Sequence, residues 1–208
     1  MNIFNVPKTG VFGLIDVVGL DLIPAVMDSL LKNIPSTDLY HSVHQKPELF
    51  DYMLKNKMIG RKGNGGFYKL VQDNGKKIKH SLNLKTRKYS VSKKAQIDSL
   101  KIGKKNLGKF FEQKDEYSNY AWNVLSDVLY YVLTIAEEIS INIHSIDAAM
   151  RDGFGWKLGP FEIIDKIGLS WFKNELQNSK KNIPALLDST KFLITPSIAI
   201  MHGILHAI

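Results

Sequence analysis

Cysteine does not occur in the sequence, which excludes disulfides and thiolate chemistry and fits a reducing compartment. No stretch reaches the roughly 20 apolar residues that span a bilayer. The tail from Phe192 to Ile208 comes nearest, and Pro196, His202 and His206 interrupt it. Met1 to Gly10 holds no apolar run behind a basic start, so no secretory signal is expected. The expected location is the cytoplasm, with no membrane partner.

Signatures of catalysis are scarce as well. A dinucleotide fingerprint needs glycine at relative positions one, three and six, between a strand and a helix. Gly63 and Gly65 supply the first two, but Tyr68 stands at the sixth and a hairpin follows. The glycines read instead as positive-φ turns that let Phe67 and Tyr68 enter the core. Arg61 and Lys62 are the candidates for substrate binding, through a phosphate of a CoA-type ligand. Nothing resembles a Gly-x-Ser-x-Gly elbow, and the adjacent Glu137 and Glu138 read as a solvated helix edge. His41 with His44, and His202 with His206, have helical spacing but no local third ligand, so surface histidines are expected and no metal site.

Positive charge is concentrated. Between Lys76 and Lys109 stand twelve Lys or Arg and one acid, Asp98, a local charge of +11 within a chain of +8. The rest of the chain sums to −3. That density is enough for a salt-sensitive nucleic-acid contact through residues 76–109. Aromatic interleaving is thin there, limited to Tyr89 and the Phe110-Phe111 pair, so a solvated Lys-rich connector is the favoured reading.

What the chain does have is an internal repeat. Lys8, Gly10, Phe12, Ile15, Asp16, Gly19 and Leu20 recur, shifted by 149, as Lys157, Gly159, Phe161, Ile164, Asp165, Gly168 and Leu169. Pro160 suits a first helical turn, Phe161, Ile164 and Ile167 share a face, and Gly168 is placed for a left-handed C-cap. Asp165 reads as an acceptor that fixes the following turn. Ahead of this copy, Ala121, Val124, Leu125, Val128, Leu129, Val132, Leu133, Ala136 and Ile139 form an amphipathic stripe. A second helix is expected after Ser145, with Ile146, Ala149 and Met150 on one face. The first copy would need matching helices before Met1, so it reads as N-terminally truncated, and Phe12, Leu14, Ile15 and Val18 should lack part of their cover.

Further helices are expected over 23–33 and near 47–56. The Asn74-Gly75 pair between alternating runs predicts a small β-hairpin or meander from 67–71, 77–84 and 89–91. The expected architecture is mainly α: a first unit over 1–70, the hairpin and connector over 71–117, a second unit over 118–190, and an atypical apolar tail over 191–208.

These blocks resemble a known family. Pro7-Lys8-Thr9-Gly10-Val11-Phe12-Gly13-Leu14 with Asp16 and Gly19-Leu20-Asp21, then Gly60-Arg61-Lys62-Gly63 and Gly66-Phe67-Tyr68, are similar to 3-hydroxyacyl-CoA dehydrogenases. So are Tyr120-Ala121-Trp122, Ile146-Asp147 with Ala149-Met150, and the run Gly153 to Glu162. The resemblance covers roughly residues 5 to 175. It is nearest to long bacterial fatty-acid-oxidation enzymes that also carry an enoyl-CoA hydratase module.

The resemblance implies two helical C-terminal repeats that cover an acyl-CoA cleft and make domain or dimer contacts. It also implies that NAD and the catalytic His and Glu belong to a Rossmann-type domain outside this chain, so no cofactor and no catalytic residue is assigned here. A supporting Asn would precede Met1. Asn123 stands at the similar place in the second copy, which is not the catalytic one. The chain is expected to be inactive alone, needing an upstream Rossmann-domain polypeptide or self-association, with acyl-CoA bound only in the full assembly. Open alternatives are a catalytically dead helical scaffold and a nucleic-acid binder through residues 76–109.

Overall fold

The Asn74-Gly75 pair folds as its sequence requires. In the computed structural model, which describes residue 3 and residues 9–187, both residues take positive φ, 48° and 78°. They close a two-residue turn between β1 (Tyr68–Asp73) and β2 (Lys76–Leu82). β3 (Tyr89–Val91) adds to β2, giving a three-stranded antiparallel meander in the order β1-β2-β3. Leu70 stands opposite Lys79, and Leu82 opposite Tyr89.

The described residues divide into two compact units, 9–96 and 97–187, the second including Ile3. The N-terminal unit holds the sheet with α1 (Gly10–Val18), α2 (Ile23–Asn33), α3 (Tyr40–Val43) and α4 (Glu48–Lys55). Its core is small: Leu20, Phe50, Met53, Met58, Phe67 and Leu82.

The C-terminal unit holds α5 (Ser99–Gly103), α6 (Leu107–Phe111), α7 (Glu116–Ile139), α8 (Ile143–Phe154), α9 (Pro160–Ile167) and α10 (Leu169–Asn178), then a short 3-10 turn at Ala185–Leu187. Each long helix starts at a side-chain cap, which satisfies an N–H that the helix itself leaves free. Asp115 accepts from the Ser118 N–H at 2.7 Å, and Asn142 from the Ser145 N–H at 2.9 Å.

The sheet packs within the N-terminal unit, and α5 and α6 within the C-terminal one. There Phe110 and Phe111 are buried beside Trp122, Trp171 and Phe172, and the Trp122 and Trp171 rings meet edge to face at 4.9 Å. The twelve Lys and Arg side chains of 76–109 are all exposed. Three expectations are corrected. First, α8 begins at Ile143 because Asn142 caps it, and its buried face is Ile143, Ile146 and Asp147 while Ala149 is exposed. Second, the buried line of α7 is Leu125, Leu129, Leu133 and Ala136, whereas Val124, Val128 and Ile139 face solvent. Third, Gly168 has φ 103° and ψ 115°, a positive-φ turn but not a left-handed helical cap, and it leads straight into α10. The tail 191–208, with His202 and His206, lies outside the described residues.

Gly19 takes φ 106° and ψ 124°, nearly the backbone of Gly168. Each glycine donates its N–H to the residue four before it, Ile15 or Ile164. The two copies of the repeated segment thus end their short helices in the same way. Their surroundings differ. Phe161, Ile164 and Ile167 are buried where α9 packs on α6, α7 and α8. Phe12 and Val18 in α1 are 43% and 38% exposed, Leu14 is 56% exposed and Ile15 is half-buried.

Candidate functional site

In α1 the one buried residue is an acid. Asp16 sits among apolar neighbours that face solvent, and it turns inward because a loop supplies its hydrogen bonds. Its Oδ1 accepts the Phe67 N–H and its Oδ2 the Tyr68 N–H, both at 2.8 Å. Its backbone carbonyl accepts the Arg61 N–H at 2.9 Å. Three N–H groups of the segment 60–68 therefore converge on one residue, two on its side-chain oxygens and one on its carbonyl, so its buried acceptors are satisfied.

Glycine makes that approach possible. At Gly60 (φ 98°) a Cβ would run into the Asp16 backbone, and at Gly66 into its carboxylate. Gly60 also donates its N–H to the Gly65 carbonyl at 2.9 Å, which closes the loop on itself. The Tyr89 hydroxyl donates to the Gly66 carbonyl at 2.6 Å. Burial first, then the Asp16 carboxylate and Tyr52, raise the Tyr89 phenol above its ordinary value, so it remains a donor.

Between α1, this loop and the sheet lies an open groove of about 1230 Å³. Arg61 lines it, as expected for a candidate ligand contact, but Lys62 does not. The Lys62 Nζ lies beside Gly19, 3.1 Å from where a Cβ on that glycine would stand. Lys79 joins the groove from the face of Tyr68 and Leu70, while Lys69 borders it from the other sheet face, where its Nζ lies 5.6 Å from the Tyr89 ring centroid. Neither was singled out in the sequence. The available signal was the two-residue Asn74-Gly75 turn, whose register sets Lys79 opposite Leu70 on the face that carries Tyr68.

The C-terminal unit solves the same local problem with a different acid. Gly159 is the N-cap of α9 and has no side chain to cap with. Asp147, from α8, supplies the acceptor, and its Oδ1 takes the Phe161 N–H at 2.9 Å. A Cβ on Gly159 would collide with Asp147, so glycine is required at the crossing. Glu162 takes the Gly159 N–H at 2.7 Å and pairs with Arg151 at 2.7 Å. Burial pushes the Asp147 carboxyl up to about 6, with the Phe161 N–H and Arg151 opposing the rise and Glu162 adding to it. Asp165, the position that matches Asp16 in the repeat, is exposed, and the buried acid that caps the start of α9 is Asp147.

The other sequence candidates are dispersed. His41 is exposed on α3, and the His44 Nδ1 lies 3.4 Å from the Tyr40 hydroxyl. Glu137, Glu138 and Asn123 are exposed on α7. The glycine loop does not fit a nicotinamide dinucleotide. It leads into β1 rather than into a helix N-terminus, and its closest backbone approaches, at Gly60 and Gly66, are filled by Asp16.

Comparison with known proteins matches this arrangement to one family. The model of the 3-hydroxyacyl-CoA dehydrogenase C-terminal domain matches residues 1–70 and again residues 120–190. A Rickettsia felis protein named as a fatty acid oxidation complex trifunctional enzyme is 34% identical over 175 residues, 84% of this chain and 24% of the relative. The Rickettsia prowazekii protein of the same name is 33% identical over 160 residues, 77% of this chain and 22% of its own length. A Bacillus subtilis protein named as a 3-hydroxyacyl-CoA dehydrogenase is 33% identical over 184 residues, 86% and 23% of the two chains. The chain thus spans about a quarter of the length of these relatives. No solved structure gives a significant match.

Proposed function

The chain belongs to the 3-hydroxyacyl-CoA dehydrogenase C-terminal domain family, and from that membership we propose that it serves as the helical C-terminal portion of such a dehydrogenase in fatty-acid β-oxidation. The reaction is oxidation of a 3-hydroxyacyl-CoA to the 3-oxoacyl-CoA with NAD. In this reading the nicotinamide site and the catalytic residues belong to a Rossmann-type polypeptide that works with this chain. This chain contributes cover for the substrate cleft and the contacts that hold the assembly together. Arg61 is the residue proposed to meet a phosphate of the acyl-CoA.

The observation that supports this reading is the apolar surface of α1 and α2. Val11, Leu14, Leu22, Val26 and Leu30 are 43–72% exposed, and no residue of α2 is buried. The matching helix α9 has its apolar residues covered by α6, α7 and α8. A surface of this kind is the mark of a face that receives another element. No single helix among the described residues is long and apolar enough to cross a membrane, and α1 and α2 are bent by 99° to one another.

The test is complementation. The purified chain, alone and mixed with an NAD-binding dehydrogenase polypeptide that lacks its own helical portion, is assayed with NADH and acetoacetyl-CoA. Turnover that needs both polypeptides is the expected result. Turnover by the chain alone, or a mixture that neither associates nor turns over, overturns the proposal.

A further inference from the structure

Helix α7 is apolar on two sides. It packs inward on α6, α9 and the turn at Ala185–Leu187, and Leu125, Leu129, Leu133 and Ala136 are buried there. At 3.6 residues per turn, Tyr117, Val124, Val128 and Ile135 form a second line about 115° round the axis from the first. This line is open. Tyr117, Tyr120, Val124, Val128 and Ile139 are 42–72% exposed. Valine, isoleucine and tyrosine are poorer helix formers than alanine, glutamate or lysine, so helix propensity does not explain them at solvent-facing positions. No Lys or Arg occurs in α7, and no charged residue interrupts the line.

The spacing of the line is that of a helix–helix seam. Tyr117, Ala121, Val124, Val128, Tyr131 and Ile135 follow one another at alternating intervals of four and three. These intervals read the same in both directions from the level of Ser126. Two copies of α7 set antiparallel about that level therefore bring Val124 opposite Val128, Ala121 opposite Tyr131 and Tyr117 opposite Ile135. The smallest side chain of the line thus meets a tyrosine. At each end Lys114 comes opposite Glu138. Both are exposed, and among the described residues neither is in an ion pair.

The area is sufficient for association. The exposed part of the line offers on the order of 600 Å² per copy, so pairing buries on the order of 1,200 Å², the lower end of stable specific interfaces. We propose that α7 is a homodimer interface, in which it pairs antiparallel with α7 of a second copy of this chain about a two-fold axis level with Ser126. This surface is separate from the α1 and α2 face assigned above to the dehydrogenase assembly, and its test needs no dehydrogenase activity, so failure of one reading leaves the other standing.

The experiment is sedimentation velocity of the full chain over a concentration series. A monomer–dimer equilibrium in the micromolar range is expected. V124K and V128K should each weaken it about tenfold or more, which corresponds to ~1.4 kcal/mol. Lysine is the better helix former and both positions are exposed, so the variants keep the fold, checked by far-ultraviolet circular dichroism. K114E and E138K should each weaken the dimer several-fold, and K114E/E138K should restore it, because the exchanged charges face each other only in the antiparallel register. A double variant no tighter than the single ones would overturn that register. A chain that stays monomeric at hundreds of micromolar would overturn the interface, as would a dimer that V124K and V128K leave intact while V11K and L14K abolish it. A large fall in melting temperature for V124K or V128K in a dilute, monomeric sample would show that the line is covered from within the chain, which overturns it as well.

Discussion

The Asp16 Oδ1 accepts the N–H of Phe67 at 2.8 Å, across fifty-one positions of chain. With the Tyr68 N–H on its other oxygen, this carboxylate ties α1 to the start of β1. Asp16→Ala leaves both N–H groups without their acceptor. Hydrogen bonds to a charged group contribute ~1.5–3 kcal/mol each, so a loss of about 3–6 kcal/mol is expected. Asp16→Asn keeps one acceptor and should lose about half as much. Urea unfolding of the three proteins measures this, and hydrogen exchange should show residues 60–68 opening first. A loss below ~1 kcal/mol for the alanine variant would mean that the loop is held some other way.

Two positive-φ glycines separate strain from collision. Gly75 (φ 78°) has open space around it, whereas a Cβ on Gly60 (φ 98°) would enter the Asp16 backbone. Gly75→Ala should therefore cost only the backbone term, ~1–2 kcal/mol. Gly60→Ala should approach the loss seen for Asp16→Ala, because the loop must withdraw from α1. Thermal unfolding ranks the pair, and equal costs would contradict the close approach.

Asp147 carries a pH dependence of definite sign. Burial raises its carboxyl to about 6 in the folded chain, above the ordinary ~3.9 of an unfolded aspartate. Its protonated form is favoured by folding, so its contribution is fully present below about pH 4 and is lost as pH rises through about 6. Asp147→Asn removes that dependence and can keep the acceptor for Phe161. The variant should gain on the unmodified chain by ~2–3 kcal/mol between about pH 4 and 7. A constant offset from the new amide leaves this slope untouched. Urea unfolding at both ends of the range checks it, and parallel profiles would remove Asp147 as the source.

The outer face of α1 should matter for association rather than for folding. Val11 is 72% and Leu14 56% exposed, so V11K and L14K are expected to change stability by less than ~0.5 kcal/mol. They should instead weaken self-association or binding of the NAD-binding polypeptide. Sedimentation velocity over a concentration series reads the first and the complementation assay the second. A large fall in melting temperature for either variant would show that the face is covered from within the chain.

The sequence by itself determined the local elements. Asn74-Gly75 specifies a two-residue turn because both central residues must take positive φ, and the meander follows from it. Pro160 starts α9, Gly19 and Gly168 end matching helices, and the apolar stripe 121–139 marks α7 as a helix, although only Leu125, Leu129, Leu133 and Ala136 of it are buried. Such features depend on neighbours within a few positions, which is why periodicity and turn chemistry reveal them. Long-range pairing alone decided the site. Asp16 and Asp165 match in sequence, yet Asp16 is buried by a loop that arrives more than forty residues later, while Asp165 faces solvent and the start of α9 is capped by Asp147. Arg61 and Lys62 are adjacent, but the hydrogen bond from the Arg61 N–H to Asp16 sets Arg61 along the groove and leaves Lys62 beside Gly19. Which of two equivalent polar residues turns inward depends on where a distant N–H finds its acceptor, and only the folded chain fixes that.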